Sequence, residues 1–577
     1  MKSQISWKVG GQQGEGIEST GEIFSTALNR LGYYLYGYRH FSSRIKGGHT
    51  NNKIRVSTSR VHSISDDLDI LVAFDQETID VNYHEMNATG IILADSKFDP
   101  VAPDDYKGKF VSMAFTEVAK ELGTALMKNM VAVGASASLI GVDLKHFEVL
   151  VDDIFGKKGE KICALNKQAL HAGFDLMEQE DFHTFSLNPS TEEGHLYMIG
   201  NDAISLGALT GGARFMAAYP ITPASEIMEY MIDKLPEFGG TVIQTEDEIA
   251  AAVMAIGVNY GGVRAFTASA GPGLSLMMEA IGLSGMTEQP FVVINTMRGG
   301  PSTGLPTKQE QSDLMQMIYG THGDIPKIVL APTTAEDAFY LTAEAFNLAE
   351  QYQCPVILLS DLQLSMGKHT VPNLDFNRIK IDRGNLITEV EAREDKSYFK
   401  RYEVTESGIS PRVIPGVKNG IHHVTGVEHT EEGKPSESPV NRAKQMEKRM
   451  RKIEQLKISE PVDYQENHPE ADVLVIGYLS TYGAIDEAIE RIDGKVNHLH
   501  IKQLHPFPVD EVQDAINKAK RVIVAEHNYA GQLSSIIKMN TMHQGKITNY
   551  TKYDGTPFLP KEIEAKINEV IEVKERI

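Results

Sequence analysis

Two prolines frame a threonine in the segment AAYPITPASE, residues 217–226. Pro220 and Pro223 keep Thr222 out of a regular helix at the end of a strand-like apolar run. Ligands of open α/β sheets bind at such carboxyl ends of strands. Thr222 is therefore either the N-cap of the helix that follows or a polar group offered to a ligand, with Tyr219 beside it on the same loop.

Two glutamates stand between a strand and an alanine-rich helix in QTEDEIAAAVMAIG, residues 244–257. Glu246 and Glu248 suit the first turn of a helix because acidic side chains complement the helix dipole. The alanines that follow let a flat ring or another backbone approach closely. Generic capping and a site carboxylate are the two alternatives at this position.

Two further loops repeat the order of strand, small-residue loop and helix. FTASAGPG contains Ser269 and Gly271, and RGGPSTGLPT begins at Arg298 and ends at Thr307. Arg298 is the only cation of its loop, and a planar guanidinium suits a carboxylate ligand. An interface salt bridge is the alternative for this arginine.

A glycine cluster, GGQQGEG, lies near the N-terminus between a strand-like run and a helical pattern. Backbone N–H groups in such a turn bind phosphate, although the spacing is not that of the dinucleotide fingerprint. A second loop, FSSRIKGGHTNN, adds two cations nearby in sequence. A tight structural turn and a plain basic loop are the alternatives. The candidate phosphate-binding residues are Gly11, Gly14, Gly16, Arg44 and Lys46.

These loops require sheets to position them, and the pattern predicts an α/β fold with three α/β domains. ISWKV, DILVAF, GIILAD and MVAVGASASLIG are predicted strands of the first sheet. A second, parallel sheet is predicted from the runs RFMAAYP, TVIQTE, RAFTAS, FVVINT, KIVLAP and PVILLSD. A third sheet is predicted from DVLVIGYLS, NHLHIKQLHPFP and RVIVAEHNYAGQ. The charged run NRAKQMEKRMRKIEQLK predicts a solvated helix. The predicted segments are a first domain at 1–180, a linker at 181–194, a second domain at 195–370, an extended linker with the charged helix at 371–469, and a third domain at 470–577.

Composition excludes several classes of protein. The chain has 577 residues and a net charge of −22, which argues against nucleic acid or an anionic membrane as a partner. No stretch approaches the ~18 apolar residues of a membrane span, and no signal peptide is visible, so we expect a cytoplasmic protein. Cys163 and Cys354 are the only cysteines, too few to hold an iron-sulfur cluster and expected to be buried without a disulfide.

The order of these motifs carries a family resemblance. Four segments together resemble the alpha subunit of 2-oxoacid:ferredoxin oxidoreductases: AAYPITPASE, QTEDEIAAAVMAIG, FTASAGPGLSLM and RGGPSTGLPTKQEQSDL. GGQQGEG with SRIKGGHTNNKIRVS resembles that family's gamma subunit, and DVLVIGYLSTYGAIDEA with LHPFP and VAEHNYAGQ resembles its transketolase-like C-terminal domain. The resemblance implies a gamma-type domain fused to a thiamine diphosphate pyrimidine-binding domain and a transketolase-like domain.

The resemblance also implies a shared site. The alpha subunit holds the aminopyrimidine end of thiamine diphosphate, while a beta subunit holds the diphosphate, Mg²⁺ and a [4Fe-4S] cluster. The G-D-G diphosphate motif is absent here, since the nearest match is Gly323-Asp324-Ile325. No metal ligand is therefore predicted in this chain. By family pattern the catalytic glutamate is Glu248, with Glu246 as the alternative; Thr222, Arg298 and Thr307 contact the 2-oxo acid, and the cofactor residues are Tyr219, Pro220, Thr222, Glu248, Ser269 and Gly271.

The activity implied is oxidative decarboxylation of a 2-oxo acid with coenzyme A as co-substrate and ferredoxin as electron acceptor. An (alpha-beta)₂ heterotetramer is the implied assembly. Arg298 and the fused gamma domain favour 2-oxoglutarate, a substrate of the tricarboxylic acid cycle, over pyruvate, branched-chain 2-oxo acids or indolepyruvate. A non-catalytic α/β scaffold that binds a phosphate or nucleotide is the alternative from another class.

Overall fold

Alternating apolar runs and helical patterns fold into three β-sheets flanked by helices. The computed structural model describes residues 2–42, 47–178, 185–392 and 397–572. The strands in chain order are β1 (Gln4–Gln12), β2 (Tyr34–His40), β3 (His49–Ser57), β4 (Leu68–Ala73), β5 (Met86–Asp95), β6 (Lys109–Met113), β7 (Leu196–Ile199), β8 (Phe215–Ala218), β9 (Thr241–Gln244), β10 (Ala265–Ser269), β11 (Phe291–Met297), β12 (Ile328–Leu330), β13 (Pro355–Asp361), β14 (Lys368–Val371), β15 (Val462–Gln465), β16 (Ala471–Gly477), β17 (Val496–Ile501), β18 (Gln503–His505), β19 (Ala519–Glu526) and β20 (Ile547–Thr551).

The helices cover the faces of these sheets. They are α1 (Ile17–Arg30), α2 (Gln76–Asn82), α3 (Phe115–Glu121), α4 (Lys128–Ile140), α5 (Lys145–Phe155), α6 (Glu160–Glu178), α7 (Gly200–Thr210), α8 (Ser225–Lys234), α9 (Glu248–Tyr260), α10 (Gly271–Thr287), α11 (Leu314–Tyr319), α12 (Ala335–Tyr352), α13 (Leu362–Met366), α14 (Pro439–Glu454), α15 (Thr481–Ile489), α16 (Val509–Asn517), α17 (Gln532–Asn540) and α18 (Pro560–Glu572). Short 3₁₀ helices lie at Tyr83–Glu85, Ser96–Phe98, Ala125–Met127, Gly156–Lys158, Leu235–Phe238, Phe376–Arg378 and Gln544–Lys546.

The chain forms two compact units. The first contains Met1–Met198, Met366–Asn373 and Leu559–Glu562. Its eight-stranded sheet has the order β6-β5-β4-β1-β3-β2-β14-β7. β1 pairs parallel with β4 and antiparallel with β3, so the sheet is mixed. Part of the predicted linker, residues 181–184, lies outside the described residues.

One predicted strand of this first unit is wrong. The apolar run MVAVGASASLIG lies almost entirely in helix α4, Lys128–Ile140. Its residues are buried all round the helix, so no polar face marks a helical period in the sequence. A short apolar run of this kind does not distinguish a buried strand from a buried helix.

The second unit holds the other two sheets. The seven-stranded sheet has the order β18-β12-β13-β11-β10-β8-β9, and the five-stranded sheet has the order β15-β17-β16-β19-β20. Each sheet is parallel apart from one edge strand, β18 or β15. One core joins the two sheets, since Met277 of α10 and Leu314 of α11 belong to the same buried cluster as Leu474 and Val524. The predicted α/β class is confirmed, and the three sheets correspond to the three predicted α/β regions, although the second and third sheets lie in one compact unit.

The prediction that the charged helix is solvated is wrong. In α14, Lys448 and Lys452 are fully buried, and their ammonium groups contact the two oxygens of Glu288 at 2.6 and 2.7 Å. Arg449 is also buried and pairs with Glu428. These three basic residues therefore hold the helix against the core, because Glu288 and Glu428 neutralise their charges.

Candidate functional site

Four loops of the seven-stranded sheet follow the carboxyl ends of adjacent parallel strands. β8, β9, β10 and β11 pair in parallel, in the spatial order β11-β10-β8-β9. The loops after them therefore meet at one edge of the sheet, which is the usual ligand-binding edge of an open α/β fold. Thr222 and Arg298 lie on two of these loops, Glu248 lies just after a third, and Ser269 ends the strand before the fourth.

The loop after β8 turns sharply before helix α8. Ala224 occupies the N-cap position, so Thr222 is not the cap of this helix. Thr222 is half-buried, and its carbonyl oxygen accepts a hydrogen bond of 2.6 Å from Arg298 Nη1. Tyr219 and Pro220 are exposed on the same loop. The structure thus brings Thr222 and Arg298 together, and the arginine side chain stabilises the backbone of the loop after β8.

The two candidate glutamates differ in their surroundings. Glu246 is exposed, whereas Glu248 is 6% exposed and begins helix α9 behind its N-cap, Asp247. None of the hydrogen bonds among the described residues involves the Glu248 carboxylate. A buried carboxylate without a protein partner is costly, and a ligand that bonds to it offsets that cost.

Small residues at the start of α10 make room for Glu248. A Cβ atom built on Gly273 would overlap Ser269 Oγ and lie 2.7 Å from Glu248 Cγ, so only glycine fits there. Ser269 ends β10, and its hydroxyl oxygen is buried without a hydrogen-bond partner in the described part of the chain. The hydroxyl of Thr267, on the same strand, is likewise buried and unpaired. Glu248 and Ser269 thus place two unsatisfied polar groups around one narrow space.

A cavity of about 370 Å³ adjoins this space. Arg298 lies on its wall, and burial lowers the pKa of the guanidinium, with Asp313 opposing the shift. The arginine Nε atom is buried and has no hydrogen-bond partner among the described residues. Thr307 is buried on the same loop but does not line the cavity. The lining residues are Gly271, Pro272, Ser275, Arg298, Gly299, Gly300, Pro301, Ser302, Glu310, Ser312, Asp313 and Gln316.

Two carboxyl groups on the cavity wall were missed by the sequence analysis. Burial raises the pKa of Asp313 to about 6, while the Asn295 amide, which donates to Oδ2 at 3.1 Å, opposes the rise. Burial also raises the pKa of Glu310, which accepts a hydrogen bond from the Gly300 backbone N–H. The sequence signal was the polar stretch KQEQSDL directly after RGGPSTGLPT.

The glycine loop of the first unit has its own geometry. Gly11 lies in β1, while Gly14 and Gly16 have φ angles of 97° and 82°, a region that favours glycine. Gly16 precedes α1, and the Asn129 amide donates to the Glu15 carbonyl beside it. Arg44 and Lys46 lie outside the described residues. The α1 N-terminus thus follows a glycine turn, which is the arrangement that suits a phosphate.

Neither a metal site nor a membrane-spanning helix is found in the described parts of the chain. No group of three or more His, Cys, Asp or Glu side chains in these ranges is arranged to hold a metal ion. None of the helices there is both long enough and apolar enough to cross a membrane. Cys163 and Cys354 are both buried and free of a disulfide.

A curated protein from a Sulfolobus species decides the family. It is named 2-oxoacid:ferredoxin oxidoreductase subunit alpha and is 35% identical over 99% of this chain and 98% of its own length. The chain belongs to the family of 2-oxoacid:ferredoxin oxidoreductase alpha subunits. The family resemblance and the enzyme class predicted from the motifs are therefore confirmed.

Family profiles cover successive parts of this 2-oxoacid:ferredoxin oxidoreductase alpha subunit. Residues 206–449 match the profile described as "Pyruvate flavodoxin/ferredoxin oxidoreductase, thiamine diP-bdg". Residues 6–176 match "Pyruvate ferredoxin/flavodoxin oxidoreductase", and residues 471–563 match "Pyruvate:ferredoxin oxidoreductase core domain II". The site loops all lie within the thiamine diphosphate-binding match.

Two further relatives of the oxidoreductase carry more specific names. A solved structure of 2-oxoglutarate:ferredoxin oxidoreductase from Magnetococcus marinus, with 2-oxoglutarate, coenzyme A and succinyl-CoA bound, is 36% identical with a TM-score of 0.92. It covers 99% of this chain and 100% of its own. A Mycobacterium tuberculosis protein named 2-oxoglutarate oxidoreductase subunit KorA is 30% identical over 96% of this chain and 89% of its own length.

Proposed function

We propose that this alpha subunit belongs to an enzyme that converts 2-oxoglutarate and coenzyme A to succinyl-CoA and CO₂, with ferredoxin as the electron acceptor. The observation that carries the proposal is the buried Glu248 carboxylate, which has no hydrogen-bond partner among the described residues and lies beside Gly273. A buried acid that is free to bond a ring nitrogen is what a thiamine diphosphate site requires on its pyrimidine side.

Thiamine diphosphate fits the residues present. When bound, it supplies the nucleophilic carbon and the electron sink for the decarboxylation. Glu248 would hold the aminopyrimidine by a hydrogen bond, and the unpaired Ser269 hydroxyl offers a second polar contact. Gly271, with Tyr219 and Pro220 on the neighbouring loop, would line the same space. Burial of Glu248 keeps water from competing for the carboxylate, which strengthens its hydrogen bond.

The choice of 2-oxoglutarate rests on Arg298. Its buried Nε lacks a partner within the described ranges, and one of its terminal nitrogens is already bonded to the Thr222 carbonyl, so its orientation is fixed. A fixed guanidinium on a cavity wall suits a substrate carboxylate, with Thr222 on the neighbouring loop and Thr307 at the end of the same loop. The names of the Magnetococcus and Mycobacterium relatives agree with this choice. Pyruvate, branched-chain 2-oxo acids and indolepyruvate are the alternative substrates.

A beta subunit would complete the site. Helices α9 and α10, which begin at Glu248 and Gly271, expose Ile249, Val253 and Leu276 to solvent at 48%, 43% and 50%. Exposed apolar rows on the two helices that start at the site suit a protein partner. That partner would bring the diphosphate-binding residues, Mg²⁺ and the [4Fe-4S] cluster, none of which this sequence provides for.

Coenzyme A would bind at the N-terminal glycine loop. Gly14 and Gly16 leave backbone N–H groups accessible before α1, and a helix N-terminus attracts phosphate. Arg44 and Lys46 are proposed as additional phosphate contacts on the basis of their sequence alone. The reaction would take place in the cytoplasm.

Paired glutamate variants test the proposal. In the complex with its beta subunit, we expect Glu248→Ala to lower turnover of 2-oxoglutarate by at least about 100-fold, because the cofactor loses its buried carboxylate. Glu246→Ala is the matched control, since Glu246 is exposed two residues away. Turnover is measured as ferredoxin reduction with 2-oxoglutarate and, in parallel, with pyruvate.

Two results would contradict the proposal. Equal activity of both variants and the unaltered complex would favour the non-catalytic scaffold. Preferential turnover of pyruvate would retain the chemistry but overturn 2-oxoglutarate as the substrate.

A further inference from the structure

The loop that carries Glu310 and Asp313 of the cavity wall is bound to the five-stranded sheet through a buried glutamine. Gln311 is fully buried, and its amide donates to Asp361 Oδ2 at 2.7 Å and to the Tyr478 carbonyl at 3.2 Å. Its side-chain oxygen accepts from the His527 backbone N–H at 3.0 Å, and its own backbone N–H donates to the His527 carbonyl at 2.6 Å. The Tyr478 hydroxyl and the Asn528 amide donate to its carbonyl oxygen.

These partners lie at the carboxyl ends of strands from both sheets of the second unit. Asp361 ends β13 of the seven-stranded sheet, Tyr478 follows β16, and His527 follows β19 of the five-stranded sheet. One residue thus joins the ligand-binding edge of the central sheet to the corresponding edge of the C-terminal sheet. All four polar atoms of Gln311 are bonded, so its position is strongly determined.

Gln309 and Met315, on either side of Gln311, are also hydrogen-bonded to other elements of the second unit. Gln309 donates to Ser480 Oγ at 3.1 Å and accepts from the Gln363 backbone N–H at 2.8 Å. Gln532 accepts from the Met315 backbone N–H at 2.8 Å.

Three of the residues that line the cavity lie between these anchors in the chain. Residues 309, 311 and 315 face the C-terminal sheet, whereas Glu310, Ser312 and Asp313 line the cavity. Because hydrogen-bonded and cavity-lining residues are interleaved along the loop, the hydrogen bonds of Gln309 and Gln311 fix where Glu310, Ser312 and Asp313 lie.

We propose that Gln311 is a positioning residue for the 2-oxo acid site, holding Glu310 and Asp313 on the cavity wall by tying their loop to the C-terminal sheet. The inference rests on the proposed function of the cavity and extends it. The C-terminal sheet contributes to substrate binding through this loop without itself contacting the substrate.

A matched pair of glutamine variants tests this role in the complex with the beta subunit. Gln311→Met keeps the size of the side chain and removes its hydrogen bonds. Gln353→Met does the same at another fully buried glutamine, which bonds to Ser410 and Arg401 instead. Both variants remove a satisfied buried amide, so a purely structural effect would be similar in the two.

We expect Gln311→Met to raise the KM for 2-oxoglutarate about tenfold, because Glu310, which accepts from the Gly300 backbone N–H beside Arg298, would shift, and small displacements of substrate-positioning groups weaken binding strongly. Amide hydrogen exchange should also accelerate in residues 299–316. Gln353→Met should lower the thermal midpoint while leaving both the KM and the exchange of that loop unchanged. Ser480→Ala, which removes the hydroxyl between Gln309 and Asp361, should accelerate exchange in the same loop and provides a milder variant if Gln311→Met does not assemble.

The inference is overturned if Gln311→Met and Ser480→Ala leave the exchange of residues 299–316 and the KM as they are in the unaltered complex. It is also overturned if Gln353→Met changes both to the same extent as Gln311→Met. Failure of the unaltered complex to turn over any 2-oxo acid would contradict the proposed function instead, and hydrogen exchange would still test the attachment of the loop.

Discussion

At the scale of residues, the cavity combines one cation with two acids whose pKa values are raised. Burial is the main cause for Asp313 and Glu310, and Arg298 only partly opposes it for Asp313. Asp313 Oδ2 is held by the Asn295 amide, and the side chain is half-buried on the cavity wall. The charge that a 2-oxo acid meets in this cavity therefore depends on the protonation of Asp313.

This arrangement predicts a pH dependence of substrate binding. Asp313, with a pKa of about 6, is neutral below that pH and anionic above it. We expect the KM for 2-oxoglutarate to rise on the order of tenfold between about pH 5 and 7.5, because like charges in a partly buried site repel. Asp313→Asn should flatten this rise. The measurement is KM across the pH range in the assembled complex.

Asp324→Asn is the control for this pH profile. Asp324 is exposed and does not line the cavity. A KM that rises equally with pH in Asp313→Asn and the unaltered complex would exclude Asp313 as the titrating group.

At the scale of elements, helix α14 is held by a buried charge cluster. Lys448, Lys452 and Arg401 surround Glu288 and keep the pKa of its carboxyl well below the usual range, although burial opposes this. The same burial lowers the pKa of Lys448 to about 8. Glu288 directly follows α10, so the cluster joins the helix after the polar linker to the end of a site helix.

Glu288→Gln should destabilise the chain by about 3–5 kcal/mol at neutral pH, because the buried Lys448 and Lys452 then lose their acidic partner. Glu447→Gln, at an exposed position of α14, is the control and should change stability by less than about 0.5 kcal/mol. Since the folded-state pKa of Glu288 is depressed, its contribution is present above its unfolded pKa and is lost as pH falls below about 4. Urea unfolding at several pH values measures this, and an equal effect of both variants would contradict it.

Elements also show how far sequence alone could predict the fold and the site. Strands such as PVILLSD were predictable because they are short, apolar and bounded by turn residues, and the site loops followed from their position after strands. MVAVGASASLIG was misassigned because a helix buried on all sides has no polar face. The burial of Lys448 depends on Glu288, 160 positions away in the chain, and Gln311 depends on Tyr478 and His527. Contacts between residues so far apart in the sequence leave no local sequence pattern.

At the scale of the whole molecule, the cysteines restrict how electrons can leave the site. Cys354 is fully buried, and burial raises the pKa of its thiol to about 12, so it remains protonated. Cys163 is also buried. Thiolates are the ligands of iron-sulfur clusters, and two buried thiols do not provide them. The proposed enzyme therefore requires a partner chain that holds the cluster.

The surface of the second unit predicts where that partner binds. Val253 is 43% exposed on α9, the helix that begins at Glu248, and a charge placed there would have to be desolvated in an apolar interface. We expect Val253→Asp to prevent co-purification of the beta subunit and to abolish the iron-sulfur absorption of the sample. Ile232→Asp is the control, since Ile232 is 51% exposed on α8. Co-purification of the beta subunit with Val253→Asp but not with Ile232→Asp would move the interface from the α9 face to the α8 face.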